Sequence, residues 1–344
     1  MTARVFSGAE QGALLVVLAL LMLALLMLAS LLLGAGEIGP ADSLRYLLGL
    51  AAPAQLPQDM AMVMWQMRLP RMLAAVLVGG ALGMAGMLLQ TVTRNPLAEP
   101  GLLGVNAGAA LGVVIGIACA GADVGAGYLL WALLGATLGN GCVLLATRLD
   151  QYVDAPLRLV LAGAALSATF HGLTSSILLA QQSGYDQYRF WIMGSLSGIS
   201  PAALGWVAPA IVTGAALALL LSRALAALQL GDDSACALGH RPALVRTGIA
   251  CAATLLTGSA VALAGPIAFL GLLAPFLARQ CKCTTPAARL LLAALFGMAL
   301  LLAADIAARL LARPFETPAS VVTALLGAPL LVWIARRSSR EGLA

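Results

Sequence analysis

Long apolar runs separated by short polar breaks organise this chain from end to end. A helix needs about 20 residues to cross the hydrocarbon core of a bilayer. Uncharged runs of that order predict ten spans, over 12–34, 70–93, 101–119, 127–147, 158–181, 203–222, 247–264, 266–279, 288–308 and 319–335. Residues 247–278 carry no charge and are too long for one span yet short for two. Gly265-Pro266 divides them, because proline cannot continue a helix without losing a backbone bond. The run from Gly12 to Gly34 is too long for the apolar core of a secretory signal and lacks a clear cleavage site. It reads as a helix that stays in the membrane. The expected fold is all-α: a single polytopic transmembrane domain over residues 1–344.

Composition narrows the class. Of 344 residues, 61% are hydrophobic and 10% charged, where a globular chain carries about 25% charged. Even soluble domains of ~300 residues bury only about 75% of the surface their unfolded chains expose. A soluble enzyme, a nucleic-acid binder and a disordered chain are excluded. The net charge of +5 is then a topology signal, since cytoplasmic loops carry the excess of Lys and Arg. With a cytoplasmic N-terminus, Arg45, Arg68, Arg71, Arg189, Arg309 and Arg313 fall outside and the other thirteen of the 19 basic residues fall inside. An even number of spans puts both termini in the cytoplasm.

The only lysine, Lys282, follows Cys281 and not glycine. A phosphate-binding P-loop needs Gly-Lys-Ser/Thr, so ATP hydrolysis is expected from another subunit. The six cysteines follow no disulfide framework. Cys281 and Cys283 offer two thiolates where structural zinc takes four ligands, so reduced thiols and no metal are expected. The 37 glycines point to close helix packing. Gly79/Gly83 and Gly135/Gly139 have the G-x-x-x-G spacing that lets helix backbones touch. Residues 79–86 also echo residues 258–265 in the opposite predicted direction, as an inverted repeat or a shared composition bias would.

Three polar stretches stand out. Arg68-Leu69-Pro70-Arg71 places two arginines around a proline suited to a helix's first turn; they either snorkel to the interface or meet a partner. Residues 94–104 hold two prolines and two glycines in a tight connection. Residues 230–239 read as a turn, aspartates at a helix N-terminus, and a short helix ended by Gly239. Such a helix between two spans is a mechanical handle for a partner. Within the spans, His171 either faces a pathway or is a satisfied core histidine. Nearby hydroxyls such as Ser167 and Thr169 commonly bond back to their own helix. Asp305 and Arg309 have the spacing of an i,i+4 pair.

These stretches resemble a known family: the ten-helix permease subunits of type II bacterial ABC importers for iron-siderophore, haem and vitamin B12. The resemblance runs from about Glu37 to Arg337. It is carried by RLPR at 68–71, LLQTVTRNPLAEPGLLGVNAGA at 88–109, FWIMGSLSG at 190–198 and the loop at 230–239. GSAVALAGPIAFLGLLAP at 258–275, LLAADIAAR at 301–309 and SVVTALLGAPLLVW at 320–333 complete it. TRNPLAEPGLLGVNAG and the segment Tyr185–Trp191 are most similar to permeases for ferric catecholate siderophores of the enterobactin kind. Two departures are Phe276, where the family has His after Pro275, and residues 280–286, where it has Asp-His-Arg.

The resemblance implies an inner-membrane pathway between two permease chains, identical or paralogous. Two ATPase subunits would hold ATP and Mg, and a periplasmic binding protein would deliver cargo; no cofactor is implied for this chain. It implies docking of the binding protein on Arg68, Arg71 and Arg309. It implies ATPase coupling through the loop 230–246, with Asp232, Asp233, Ala235, Ala237, Leu238 and Gly239. Phe190 and Trp191 would lie on a short outer helix beside the pathway, with Ser167 and His171 as further lining. The same machine carrying cobalamin or haem is the nearest alternative. An ion-coupled transporter needs charges buried near the midplane, and the spans offer only His171 and, near an end, Asp305. An intramembrane enzyme would need carboxylate pairs or a His-Glu-x-x-His motif, which the sequence lacks.

Overall fold

The apolar runs form helices and, among the described residues, nothing else regular. A computed structural model describes residues 8–36, 38–50, 57–120, 126–149, 155–180, 185–281, 285–311 and 315–341. Lys282, Cys283 and Arg313 lie outside them. The helices are α1 (Gly8–Leu32), α2 (Pro40–Leu47), α3 (Met60–Met62), α4 (Leu69–Val92), α5 (Val105–Ala120), α6 (Ala126–Leu149), α7 (Ala155–Ala180) and α8 (Tyr185–Ile192). They continue with α9 (Pro201–Leu220), α10 (Ser222–Gln229), α11 (Asp232–Ala237), α12 (Pro242–Ala264), α13 (Leu270–Gln280), α14 (Pro286–Leu311) and α15 (Ala319–Glu341). Ten of these overlie the ten apolar runs. Seven are long and apolar enough to cross a membrane, counting α3 and α4 as one; α5 and the apolar part of α15, Ala319–Pro329, are shorter, and α13 has 11 residues.

The second span departs from expectation. Its helix does not begin at Pro70 but runs continuously from Met60 to Val92, with a π-helical turn at Val63–Arg68. Pro70 has no N–H to donate, and its ring crowds the carbonyl four residues back. A widened turn immediately before it relieves both problems.

α4 and α12 are buried along most of their length, whereas α1 and α7 are mostly exposed. α4 packs against α14, α12, α13 and α9, and α5 packs against α6. Glycines set the distances. α4 and α14 run antiparallel: a Cβ on Gly79 would lie 2.5 Å from the Gly297 carbonyl oxygen, and one on Gly83 would overlap the Ala293 carbonyl oxygen. Gly86 likewise faces the Gly271 carbonyl of α13. In the second contact Gly108 meets Gly135, and a Cβ on Gly139 would lie 2.6 Å from the Gly104 carbonyl oxygen. Both G-x-x-x-G pairs are therefore backbone contacts. The echoing segments run in opposite directions, but their last glycines differ in use. Gly86 is a helix–helix contact, and Gly265 (φ +73°) ends α12.

The weak pair of spans has a physical explanation. After Gly265, which sits against Trp191 and Gly194, residues 266–269 run inward without helix. Ser320 lies at Gly194, while Phe269 packs on Gly327. Seven residues separate these two α15 positions, about 10 Å along a helix. α13 thus starts inside the bundle and needs only 11 residues to finish the crossing. Phe269 caps it in the left-handed region at φ +65°.

Gly83→Ala should lower stability by about 1–3 kcal/mol, the cost of overpacking a tight contact. Gly141→Ala, whose Cβ would meet nothing within 4 Å, should leave it unchanged or raise it. Thermal unfolding in detergent, followed by the loss of the monodisperse peak, separates the two.

Candidate functional site

The RLPR arginines and Arg309 converge at one end of the bundle, but they do not face solvent. Arg68, Arg71 and Arg309 are 5%, 8% and 2% exposed. Arg68 Nη1 donates to the Leu31 and Leu32 carbonyls at 2.9 and 3.0 Å and to Ser43 Oγ at 2.7 Å, and its Nη2 donates to the Ile38 carbonyl at 3.0 Å. Arg309 Nη1 donates to the Ser30 and Leu33 carbonyls at 3.0 and 2.9 Å, and its Nη2 to Ser30 Oγ at 2.7 Å. The last carbonyls of a helix have no partner within it; here two guanidinium forks from distant segments satisfy the end of α1.

Asp305, fully buried, ties these groups together. It pairs with Arg309 one turn on, as the spacing predicts, and also with Arg71, whose Nη2 lies 2.9 Å from Oδ1. Arg71 Nη1 donates to both oxygens of Glu316 at 2.8 Å. Burial alone would raise the Glu316 carboxyl, but Arg71, Ser197 and Arg309 outweigh it and hold it below the ordinary carboxylate range. The three arginines expected to dock a binding protein are buried and bonded within the chain. All three arginines are spent inside the chain, because planar forks suit carboxylates and carbonyls. Arg45 and Arg189, with side chains 64% and 55% exposed, hold only i,i+3 pairs at this end.

The pathway candidates divide. α7 exposes His171 and leaves Ser167 half-buried. The hydroxyls of Thr169, Thr174 and Ser176 bond to carbonyls four residues back on the same helix. On α8, Phe190 is exposed, with the Arg189 guanidinium 5.4 Å from its ring centre. Trp191 turns the other way and packs against the core.

At the opposite end, α10 leads into α11 through Gly231 at φ +115°, and Gly239 at φ +81° ends the turn after α11. Both conformations favour glycine. Ala235 is buried and anchors α11, while Asp232, Asp233, Ala237, Leu238 and Gly239 are exposed. Asp232 is held by Arg246 through bonds of 2.7 and 3.0 Å. Leu230, Leu238 and Leu244 expose 71%, 62% and 63% of their surface beside it. The connection at 94–104 reaches into the bundle, where Glu99 Oε1 accepts from the Phe269 N–H at 2.9 Å. Burial pushes the Glu99 carboxyl up, against that bond. Sequence reasoning passed over Glu99 and Glu316, since nothing local tells a buried loop carboxylate from a solvated one.

The family described as the FecCD transport family matches residues 20–337. The ferric enterobactin transport system permease protein FepD of Escherichia coli (strain K12) is 46% identical over 80% of this chain and 82% of its own length. The Fe(3+)-citrate import system permease protein YfmD of Bacillus subtilis (strain 168) is 35% identical over 94% of this chain and 95% of its own. The vitamin B12 import system permease protein BtuC of Klebsiella pneumoniae is 37% identical over 81% and 83%. An inward-facing solved structure, described as a metal-chelate type ABC transporter, superposes with a TM-score of 0.79 at 27% identity, covering 96% of this chain and 99% of its own.

Asp305→Asn removes the carboxylate paired with buried Arg309, leaves Arg71 with Glu316 alone, and should cost about 3–5 kcal/mol. Arg45→Gln, at an exposed pair, should cost at most about 1 kcal/mol. Thermal melts of the two variants compare them directly. The depressed Glu316 carboxyl adds a pH signature. Its contribution is complete above the unfolded carboxylate value, about 4.3, and is lost as pH falls through the lower folded value. Glu316→Gln should flatten that part of the stability–pH curve.

Proposed function

The chain belongs to the FecCD transport family, and we propose that it is the permease subunit of a binding-protein-dependent ABC importer that moves a ferric siderophore across the inner membrane. The match to iron-chelate permeases over nearly the whole chain carries this reading. It is a multi-pass membrane protein of the transport type, not an enzyme in its own right. ATP and Mg are assigned to a partner ATPase, since the single lysine lies outside any P-loop. Both termini are assigned to the cytoplasm on the charge asymmetry of the loops.

The geometry supports each part. α7 is a membrane helix whose exposed surface carries His171 and whose Ser167 is half-buried. A polar strip is costly against lipid and suits the water-filled side of a pathway shared with a second permease chain. α11, stiffened by the Asp232–Arg246 pair and flanked by exposed leucines, suits a cleft on the ATPase. At the other end, Arg45 and Arg189 are the exposed cations suited to carboxylates of a binding protein. Arg68, Arg71 and Arg309 act beneath them by holding the rim in place. An importer of the same type for vitamin B12 is the second reading, favoured by the vitamin B12 permease relative.

Uptake tests the substrate. Vesicles containing the chain, its ATPase and its binding protein should accumulate labelled ferric enterobactin in preference to cobalamin or haem. The reverse preference overturns the siderophore reading. Gly239→Pro should abolish uptake without impairing membrane insertion, because proline cannot adopt φ +81°. Deleting residues 232–235 should do the same. Transport surviving both changes would reduce α11 to a connector.

A further inference from the structure

The end of the bundle that carries α10 and α11 contains a cavity of about 340 Å³ between α4, α10, α13 and α14. Arg94, Arg279 and Arg289 line it, together with Gln90 and Gln229, and no carboxylate lines it among the described residues. Excess arginine at this end is expected of any membrane protein with this topology. Convergence of three arginines on one cavity is not required by that rule.

The cavity is built in detail. Arg94 stands in the left-handed region at φ +50°, and its Nη2 donates to the Leu228 carbonyl of α10 at 2.8 Å. Arg279 donates to Gln90 Oε1, and Gln90 Nε2 donates in turn to the Gly271 carbonyl at 3.2 Å. Gln90 thereby fixes Arg279 from behind. Arg289, on α14, lines the same cavity as Arg279 on α13. Three guanidinium groups on one cavity offer several donors to a single anion, and bidentate guanidinium groups match phosphate oxygens.

The other wall is apolar and includes Met87 and Leu225. Met87 lies five residues before the end of α4 at Val92, about 8 Å along the axis from the turn that holds Arg94. The cavity therefore runs from a cationic mouth into the depth of the bundle. A protein carboxylate needs only the mouth; a phospholipid uses both regions. Basic pockets between membrane helices on the cytoplasmic side are known to hold anionic headgroups.

We propose that this cavity binds the phosphate of an anionic phospholipid, with Arg279, Arg289 and Arg94 around the headgroup and Met87 and Leu225 against the first part of the acyl chains. The site is independent of the cargo. Its occupancy would hold α13 and α14 to α10, the segment that enters α11.

Native mass spectrometry of the full chain in mild detergent tests it, with phosphatidylglycerol and phosphatidylcholine of identical acyl chains and with inorganic phosphate. The chain should retain phosphatidylglycerol in preference. The double variant Arg279→Gln/Arg289→Gln should bind it about 30-fold more weakly, as expected for two arginines at a lipid surface. Arg45→Gln, at the far end, should leave binding unchanged. If the double variant is not monodisperse, Arg289→Gln alone, at an exposed position, carries the comparison with about a fivefold loss. Equal retention of phosphatidylglycerol by wild type and variant overturns the proposal. Binding of inorganic phosphate without preference for phosphatidylglycerol overturns the lipid source. Unchanged lipid retention with loss of ATPase association would assign the arginines to a protein contact instead. None of these readouts depends on what is transported.

Discussion

Backbone contact between helices is the constraint on which this structure rests. Inside a bilayer, lipid tails are as apolar as leucine, so burial of side chains does little to draw helices together. Association depends instead on how closely the chains approach. α4 meets α14 and α13 through Gly79, Gly83 and Gly86, and α5 meets α6 through Gly108, Gly135 and Gly139. At these points a carbonyl of one helix occupies the space of a missing methyl on the other. Because α4 also contacts α12 and α9, its surface fixes the relative placement of most of the bundle.

That placement brings the charged groups together. With α4 antiparallel to α14, Arg71 near the start of one reaches Asp305 near the end of the other, and Arg309 closes the cluster against α1. A buried carboxylate between two guanidiniums, with carbonyls and hydroxyls taking the remaining donors, avoids the penalty that an isolated charge would incur. The cluster holds the end of α1 and, through Glu316, the loop before α15. The rim at this end is held in place by arginines that are turned inward.

The other end is organised differently. There the arginines are exposed and line a cavity, and α11 is a six-residue helix between two glycines in the left-handed region. Glu99, in the α4–α5 connection, accepts from the N–H of Phe269, the residue that caps α13. α11 follows α10, whose Leu228 carbonyl accepts from Arg94 just beyond the end of α4, and α4 packs against α14, α12, α13 and α9. α11 is thus joined through α10 to a helix that is buried along most of its length.

The sequence by itself determined what depends on local chemistry. Ten apolar runs, the break at Gly265-Pro266, the G-x-x-x-G contacts, the Asp305–Arg309 pair and the glycines bounding α11 were legible because each follows from residues a few positions apart. The motifs of 88–109 and 258–275 also carried the family, since strings that specific do not arise from composition. Tertiary structure alone decided which distant groups meet. Nothing within reach of Arg71 names Asp305, 234 residues away, or Glu316. RLPR therefore looked solvent-facing until the α4–α14 contact buried it. Pro70 signalled a helix start because proline lacks an N–H, yet a π turn with enough neighbours to hold it carried the helix through. The short length of α13 was ambiguous for the same reason. Whether eleven residues suffice depends on how deep the preceding loop descends, and that depth is set by Glu99 and Gly327 from elsewhere in the chain.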